Sequence, residues 1–206
     1  MEFRLEREEE HYVVENLTRE AFWDVYRPGC NEHLVLHKLR KEASFIPELD
    51  YVAVEDGKVV ANIVYSKMFL ATPKEVSEKI IGFGPISVLP EYQKKGIGKA
   101  LIDFTMNKAR ELGYKAVLIE GSDQYYPRFG FEPASRYQIY LSGMEGEEAP
   151  FFMAKELEEG YLKNHGGIYD FNPCYYVDDK QLEVFELQFP EKTKRQPGEY
   201  DLKPNL

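Results

Sequence analysis

Cysteine is nearly missing from this chain: 206 residues carry two, Cys30 and Cys174, far apart and in no C-x-x-C arrangement. The usual redox and structural-zinc spacings are therefore excluded. Such sparse cysteine fits a reducing compartment with both thiols free, although a bridge between the two stays open at this level. Long apolar runs are missing too, and none approaches the ~20 residues that a membrane-crossing helix needs. Met1-Glu2-Phe3-Arg4 has neither the basic nor the apolar segment of a secretory signal. A cytoplasmic protein with no membrane role is the expectation. Basic residues are in deficit, 26 Lys and Arg against 36 Asp and Glu, for a formal net charge of −10. Nucleic-acid binding, which requires a basic face, is not expected. Acidity serves solubility first, and it would also draw a cationic substrate. His33 and His37 lie four apart, but there is no H-E-x-x-H and no third ligand nearby. No metal site is expected, and the two imidazoles read as solvated or substrate-facing.

What is present is enough for one substantial core, since 43% of the residues are hydrophobic. Phe3 to Leu5 reads as a short strand. His11 to Tyr26 reads as a helix with Val14, Leu17, Ala21 and Val25 on one face, broken by Pro28-Gly29. A second helix is expected from Asn31, an N-cap type, to Lys41, with Leu34, Val35 and Leu39 inward. Tyr51 to Val54 and Val59 to Leu70 form a hairpin around Asp56-Gly57. Ala71 to Lys79 reads as a loop. Ser135 to Leu141 and Phe151 to Leu157 read as two closing strands, and Val184 to Leu187 alternates weakly. The polar, proline-bearing stretch from Glu191 to Leu206 reads as mobile or draped on a partner surface.

The centre of the chain carries the chemistry. An apolar strand, Ile80 to Leu89, stops at Pro90. After it comes Gln93-Lys94-Lys95-Gly96-Ile97-Gly98-Lys99-Ala100, and then a helix with Leu101, Ile102, Thr105, Ala109 and Leu112 at helical spacing, closed by Gly113. The first amides of a helix have no internal acceptor, and the helix dipole adds partial positive charge there. Gly96 and Gly98 let a phosphate approach the backbone, and three lysines surround them. The spacing is neither G-x-x-x-x-G-K-[ST] nor G-x-G-x-x-G, because Leu101 stands at the third glycine position.

The loop does match Q/R-x-x-G-x-G/A, and so resembles the acetyl-coenzyme A pyrophosphate loop of the GNAT family of N-acetyltransferases. A second element strengthens the resemblance. The strand Lys115 to Glu120 is followed by Gly121-Ser122-Asp123-Gln124-Tyr125-Tyr126-Pro127-Arg128-Phe129-Gly130-Phe131. Its Tyr126-x-x-x-Gly130-Phe131 spacing resembles the Y-x-x-x-G-F of the same family. The fuller form is similar to the G-D-P-x-Y-Y-x-R-F-G-F of a bacterial subgroup, with Ser122-Asp123 in place of Asp-Pro. The resemblance is sharp from Gly82 to Phe131 and looser from Met1 to Glu159.

It implies a mixed α/β acyl-CoA N-acyltransferase fold, with the central sheet splayed between its fourth and fifth strands and flanked by helices. Residues 1–159 would be the acetyltransferase domain, and 160–206 an extension packed on or near it. The implied cosubstrate is acetyl-CoA, without a metal, and the partner a small-molecule or peptide amine. A homodimer stays open. Pyrophosphate contacts would map to the amides of Gln93, Lys94, Lys95, Gly96, Ile97, Gly98 and Lys99. The pantetheine arm would pair with Ile86, Ser87 and Val88. Tyr126 would be the general acid for the departing thiolate, with Tyr125 as alternative if the register differs by one. Glu120, at a strand end, is the weaker candidate for base. Asp123 reads better as a cap for the tyrosine turn. Glu32, His33 and His37 lie on the helix that borders the acceptor groove in this family. No motif supplies a covalent nucleophile, so direct attack in a ternary complex is expected. A different acyl-CoA, an O-linked acceptor, or a non-catalytic acyl-CoA sensor are the alternatives.

Overall fold

The computed structural model describes residues 1–71 and 74–198. Chain order is β1 (Glu2–Leu5), α1 (His11–Phe22), α2 (Glu32–Leu39), β2 (Tyr51–Glu55), β3 (Lys58–Leu70), β4 (Glu75–Val88), α3 (Ile97–Glu111) and β5 (Ala116–Glu120). It continues with β6 (Glu132–Pro133), β7 (Ile139–Leu141), β8 (Phe152–Glu156), β9 (Gly167–Asp170) and α4 (Asp179–Glu186). One mixed sheet runs β1-β2-β3-β4-β5-β8-β6, with β9 pairing to both β3 and β7. Most neighbours are antiparallel, but β4 and β5 are parallel, joined by the α3 crossover.

Local chemistry explains several boundaries. Asp56 and Gly57 both take positive φ, 49° and 80°, as a two-residue hairpin turn between β2 and β3 demands. Gly113 ends α3 at φ 84°, with its own amide on Arg110 O and that of Tyr114 on Ala109 O. That pair of bonds satisfies the last helical carbonyls. Alternation along β5 divides its side chains between two cores: Val117 and Ile119 join the larger cluster with α1, α2 and α3. Ala116 and Leu118 join the second, with Ile139, Phe152, Leu162 and Tyr169 from the C-terminal third of the chain. A central strand covered on both faces has this pattern.

Other expectations need correction. The segment read as a loop from Ala71 is largely the first half of β4, which starts at Glu75. α1 stops at Phe22 rather than Tyr26, because Asp24 turns to φ 59° and its carboxylate takes the Gly29 amide at 2.7 Å. Val25 is consequently exposed rather than inward. Leu112 is likewise exposed, and Met106 takes its place in the α3 face. A 3-10 turn, Ala134–Tyr137, precedes β7, and Gln138 caps it at φ 58°, so the strand does not start at Ser135. Val184 to Glu186 is helical, within α4, because Leu182, Phe185 and Phe189 pack on Leu34 of α2. The tail as far as 198 lies against α1: Lys192 pairs with Glu20 at 2.6 Å, and Trp23 Nε1 donates to Thr193 O at 3.1 Å. The remaining residues of that tail, 199–206, lie outside the described residues.

One buried cluster carries a pH signature. Arg40 bonds Glu6 at 2.7 Å and Glu15 at 2.9 Å, with Asp50 at 3.7 Å, so a single guanidinium serves three carboxylates. Loss of hydration, then the charge of Asp50, push the Glu6 carboxyl well above the usual carboxylate range, against the opposing pull of Arg40. The native state thus holds a proton that the unfolded chain releases near its ordinary carboxylate range. Stability from Glu6 is full in acid and declines as pH climbs toward that raised value. Glu6→Gln keeps the neutral form at every pH. Its ΔG of unfolding relative to wild type should improve by ~1–2 kcal/mol between pH 5 and pH 8, each retained pKa unit counting about 1.4 kcal/mol. Urea melts at the two pH values measure this, and an equal or opposite change would refute the assignment.

Candidate active site

β4 and β5 run together over Ile80↔Ala116, Ile81↔Val117 and Gly82↔Leu118, and the pairing ends there. On its other side β4 continues against β3 to Ala61↔Val88. The strands therefore part after Gly82, leaving one edge of Phe83 to Val88 without a strand neighbour. Gly82 suits the junction, since an added Cβ would lie 2.9 Å from the Met68 sulfur and 3.0 Å from Leu118 O.

The loop after β4 is built to present amides. Gln93 Nε2 donates to Val88 O at 3.0 Å, and the Gln93 amide to Pro90 O at 3.3 Å. Lys94 then turns to φ 60° and Gly96, the N-cap of α3, to φ 83°. The first helical bond is Ala100 N to Gly96 O, at 3.0 Å. Among the described residues no acceptor takes the amides of Lys94 through Lys99, a run of donors at a helix N-terminus. Gly98 lies close to the strand, because a Cβ there would sit 3.4 Å from Val88 Cγ2. Lys95 lies over the Tyr92 ring, 4.9 Å from its centroid. Lys99 pairs with Asp103 at 2.5 Å and lies 5.8 Å from the Phe129 ring, which brings the tyrosine turn to the same end of the sheet.

Ser87 is buried and donates to Thr18 Oγ1 at 3.0 Å, tying β4 to α1, while Ile86 and Val88 stay partly exposed. The Tyr126 ring packs against Phe83 at 5.9 Å, Phe131 at 5.9 Å and Phe129 at 6.1 Å, beside the point where β4 leaves β5. Loss of hydration, followed by the neighbouring Tyr125 and Tyr26, raises its phenol above the ordinary tyrosine range. It stays protonated, and no described residue accepts its proton. Tyr125 is exposed and covered by Arg128, whose guanidinium carbon lies 4.5 Å from the ring centroid. Ser122, not Asp123, holds the turn: its carbonyl accepts the amides of Tyr125 and Tyr126 at 3.0 and 3.1 Å, and its hydroxyl that of Gln124 at 3.3 Å.

Glu120 stands at the open end of β5 with its side chain reachable from solvent. Surrounding protein still raises its carboxyl above the usual range, through loss of hydration first and the charge of Asp170 second. Asp170, the last residue of β9, is raised by the same loss of hydration, opposed by hydrogen bonds from the Phe171 amide and from Tyr176. Sequence reasoning did not single out Asp170, Tyr175 or Tyr176. The aromatic density around them was the available signal, and only the pairing of β9 with β3 brings them here. On α2, His33 is fully buried rather than solvated, with Glu186 of α4 2.7 Å from its Nε2. Burial pushes that imidazole down to about 4, and it faces no cleft. His37 bonds Glu15 at 2.9 Å. Glu32 is partly buried, takes the Asn31 amide at 3.0 Å, and lies near enough to Tyr26 to raise its phenol.

Over residues 12–131 the chain matches the model of the acetyltransferase (GNAT) family. The chain belongs to that family. Its sequence is 33% identical over 120 residues to YjhQ, an uncharacterised N-acetyltransferase of Escherichia coli K12. That match takes in 57% of this chain and 61% of YjhQ, less than two thirds of the relative's length. YhbS, another uncharacterised N-acetyltransferase of the same strain, is 26% identical over 68% of this chain and 81% of its own. The fold agrees with the crystal structure of E. coli YhbS in complex with CoA: TM-score 0.74 at 22% identity, over 84% of this chain and 91% of that one. A GNAT acetyltransferase from Brucella melitensis in complex with acetyl-CoA gives 0.67 at 24% identity, over 85% and 97% of the two chains. The mixed α/β GNAT fold is thus established, with its parallel β4–β5 pair flanked by helices.

Among the described residues no helix is long and apolar enough to cross a membrane, and no three His, Cys, Asp or Glu side chains are grouped to hold a metal. Both cysteines are free and buried. A depression of about 610 Å³ between α2 and α4 is lined by none of the residues of the loop, β4, β5 or the tyrosine turn, and belongs to a different face.

Proposed function

We propose that the chain transfers an acetyl group from acetyl-CoA to a primary amine by direct attack in a ternary complex. The observation that carries this reading is the parting of β4 from β5 after Gly82↔Leu118, beside the uncommitted amides of Lys94 to Lys99. Bound there, acetyl-CoA would supply the reactive thioester. The amides of Lys94, Lys95, Gly96, Ile97, Gly98 and Lys99 would hold its pyrophosphate, and Ile86, Ser87 and Val88 its pantetheine arm. Gln93 serves by bracing the loop on Val88 O. Tyr126, kept protonated, donates to the departing sulfur. Glu120 accepts a proton from the amine, which at neutral pH arrives as an ammonium ion. We assign residues 1–159 to the catalytic domain and 160–206 to an extension that supplies Asp170, and two free thiols suit a cytoplasmic location.

Glu120 and Asp170 have no cationic partner among the described residues, which favours a positively charged acceptor over a neutral alcohol. Mass spectrometry of products from a panel of cationic amines, uncharged amides and alcohols with acetyl-CoA tests this. Acetylated amine is the expected product, and Glu120→Gln should reduce kcat/KM by about a hundredfold, with the largest loss below pH 8. Acetylation of alcohols alone would replace the reading with O-acyl transfer. Firm CoA binding with no product would replace it with a sensor.

A further inference from the structure

β4 carries one residue too many where it leaves β5. Against β3 the register steps from Tyr65↔Phe83 to Ile63↔Ile86, so three steps along β4 answer two along β3. The extra residue makes a bulge at Gly84-Pro85, and a bulge leaves main-chain groups outside the ladder. Pro85 has no amide to offer, but Gly84 retains a carbonyl. That carbonyl accepts the hydroxyl of Tyr175, at 2.6 Å.

Tyr175 lies 44 residues past the last residue of the family match, which ends at 131. Its position is nonetheless built with care. The preceding Asn172 is almost wholly buried and fully engaged: its carbonyl oxygen takes the Cys174 amide at 2.7 Å, and its amide nitrogen donates to Ser44 Oγ at 2.9 Å and Glu42 at 3.1 Å. Phe171 packs on the Tyr175 ring at 5.4 Å. A 3-10 turn over Pro173–Tyr175 then aims the phenol at β4. Burial raises the phenol above its ordinary range, so it remains a donor throughout the working pH range.

Position along β4 gives this bond a consequence for chemistry. On one side of Gly84 is Phe83, whose ring supports Tyr126 at 5.9 Å. On the other, two residues on, is Ile86, the first of the groups assigned to the pantetheine arm. We propose that Tyr175 is a positioning residue for acetyl transfer, its hydroxyl clamping the Gly84 carbonyl so that Ile86 to Val88 meet the thioester end of the cosubstrate in register. The proposal rests on the acetyltransferase reading above, and it gives the C-terminal extension a part in the reaction.

Tyr175→Phe keeps the ring and its packing and deletes only the donor. Two readouts on the full chain separate the possibilities. Hydrogen exchange of the peptide spanning residues 84–88, measured without any ligand, should quicken by about tenfold as the bulge loosens. With acetyl-CoA and an accepted amine, kcat should fall about tenfold or more, since small misplacements of reacting groups are costly. KM for acetyl-CoA should stay within about twofold, because the loop at Lys94 to Lys99 is untouched. Unchanged exchange or unchanged kcat in the variant overturns the proposal, as does a lower Tm with normal kcat at an assay temperature below it. A wild type that releases no thiol from acetyl-CoA, yet loosens at residues 84–88 in the variant, overturns the acetyltransferase reading and leaves the clamp standing.

Discussion

Tyr126→Phe lowers kcat by about a hundredfold and leaves the affinity for CoA within about twofold. The magnitude is that of losing one general acid, and it follows from where the phenol sits. The Tyr126 ring is fixed by Phe83, Phe129 and Phe131, so removal of one oxygen leaves the packing as it was. Its hydroxyl has no partner among the described residues, so nothing within the protein loses a bond. Its raised pKa keeps the proton on the phenol, so a neutral hydroxyl is available to donate to the sulfur as it departs. Cofactor affinity rests on a separate element, the amides ahead of α3. Steady-state kinetics with a CoA titration in the same buffer checks both halves. A kcat within threefold of wild type would remove Tyr126 from the reaction. A matching loss of CoA affinity would make it a binding residue.

Gly121→Ala should be nearly as damaging, although the residue bears no functional group. A Cβ at this position would lie 2.3 Å from Cε2 and 2.7 Å from Cδ2 of Tyr126, closer than any real contact. The backbone of Gly121 suits an L-residue, so the chain can keep its path and the ring must give way. Displacement of the phenol by about 1 Å is enough for a loss near a hundredfold. Because both changes act through one hydroxyl, Gly121→Ala combined with Tyr126→Phe should be no slower than either alone. Losses that multiply would show that Gly121 acts elsewhere, and a fully active Gly121→Ala would show that the ring has freedom to move.

These two residues also show what was readable in the chain before its fold. The glycine loop and the tyrosine turn are local: each follows from φ, helix-end chemistry and spacing within about ten residues. α3 and the β2–β3 hairpin belong with them, because hydrophobic period and turn residues sit side by side in sequence. What failed was decided at a distance. His33 looked solvated until α4 brought Glu186 and Phe185 over it. α4 itself was masked because its helical face, Leu182, Phe185 and Phe189, is defined by Leu34 of α2. Val25 left the core because the fold of 24–29 draws on Arg195 as well as on Asp24, with the Arg195 amide on Asp24 Oδ2 at 3.0 Å. Asp170 and Tyr175 gain their roles only through the pairing of β9 with β3 and through a carbonyl freed by a bulge 91 residues earlier. No periodicity reports such a meeting.

The proposed reaction requires that this cleft hold acetyl-CoA and pass its acetyl group to an amine. Thiol release from acetyl-CoA by the wild-type chain, followed with and without a pool of cationic amines, is the experiment that decides it. Release should require the amine, saturate with both substrates and yield free CoA in step with acetylated product. Release that ignores the amine, or none at all from a chain whose Tm does not respond to CoA, would contradict it.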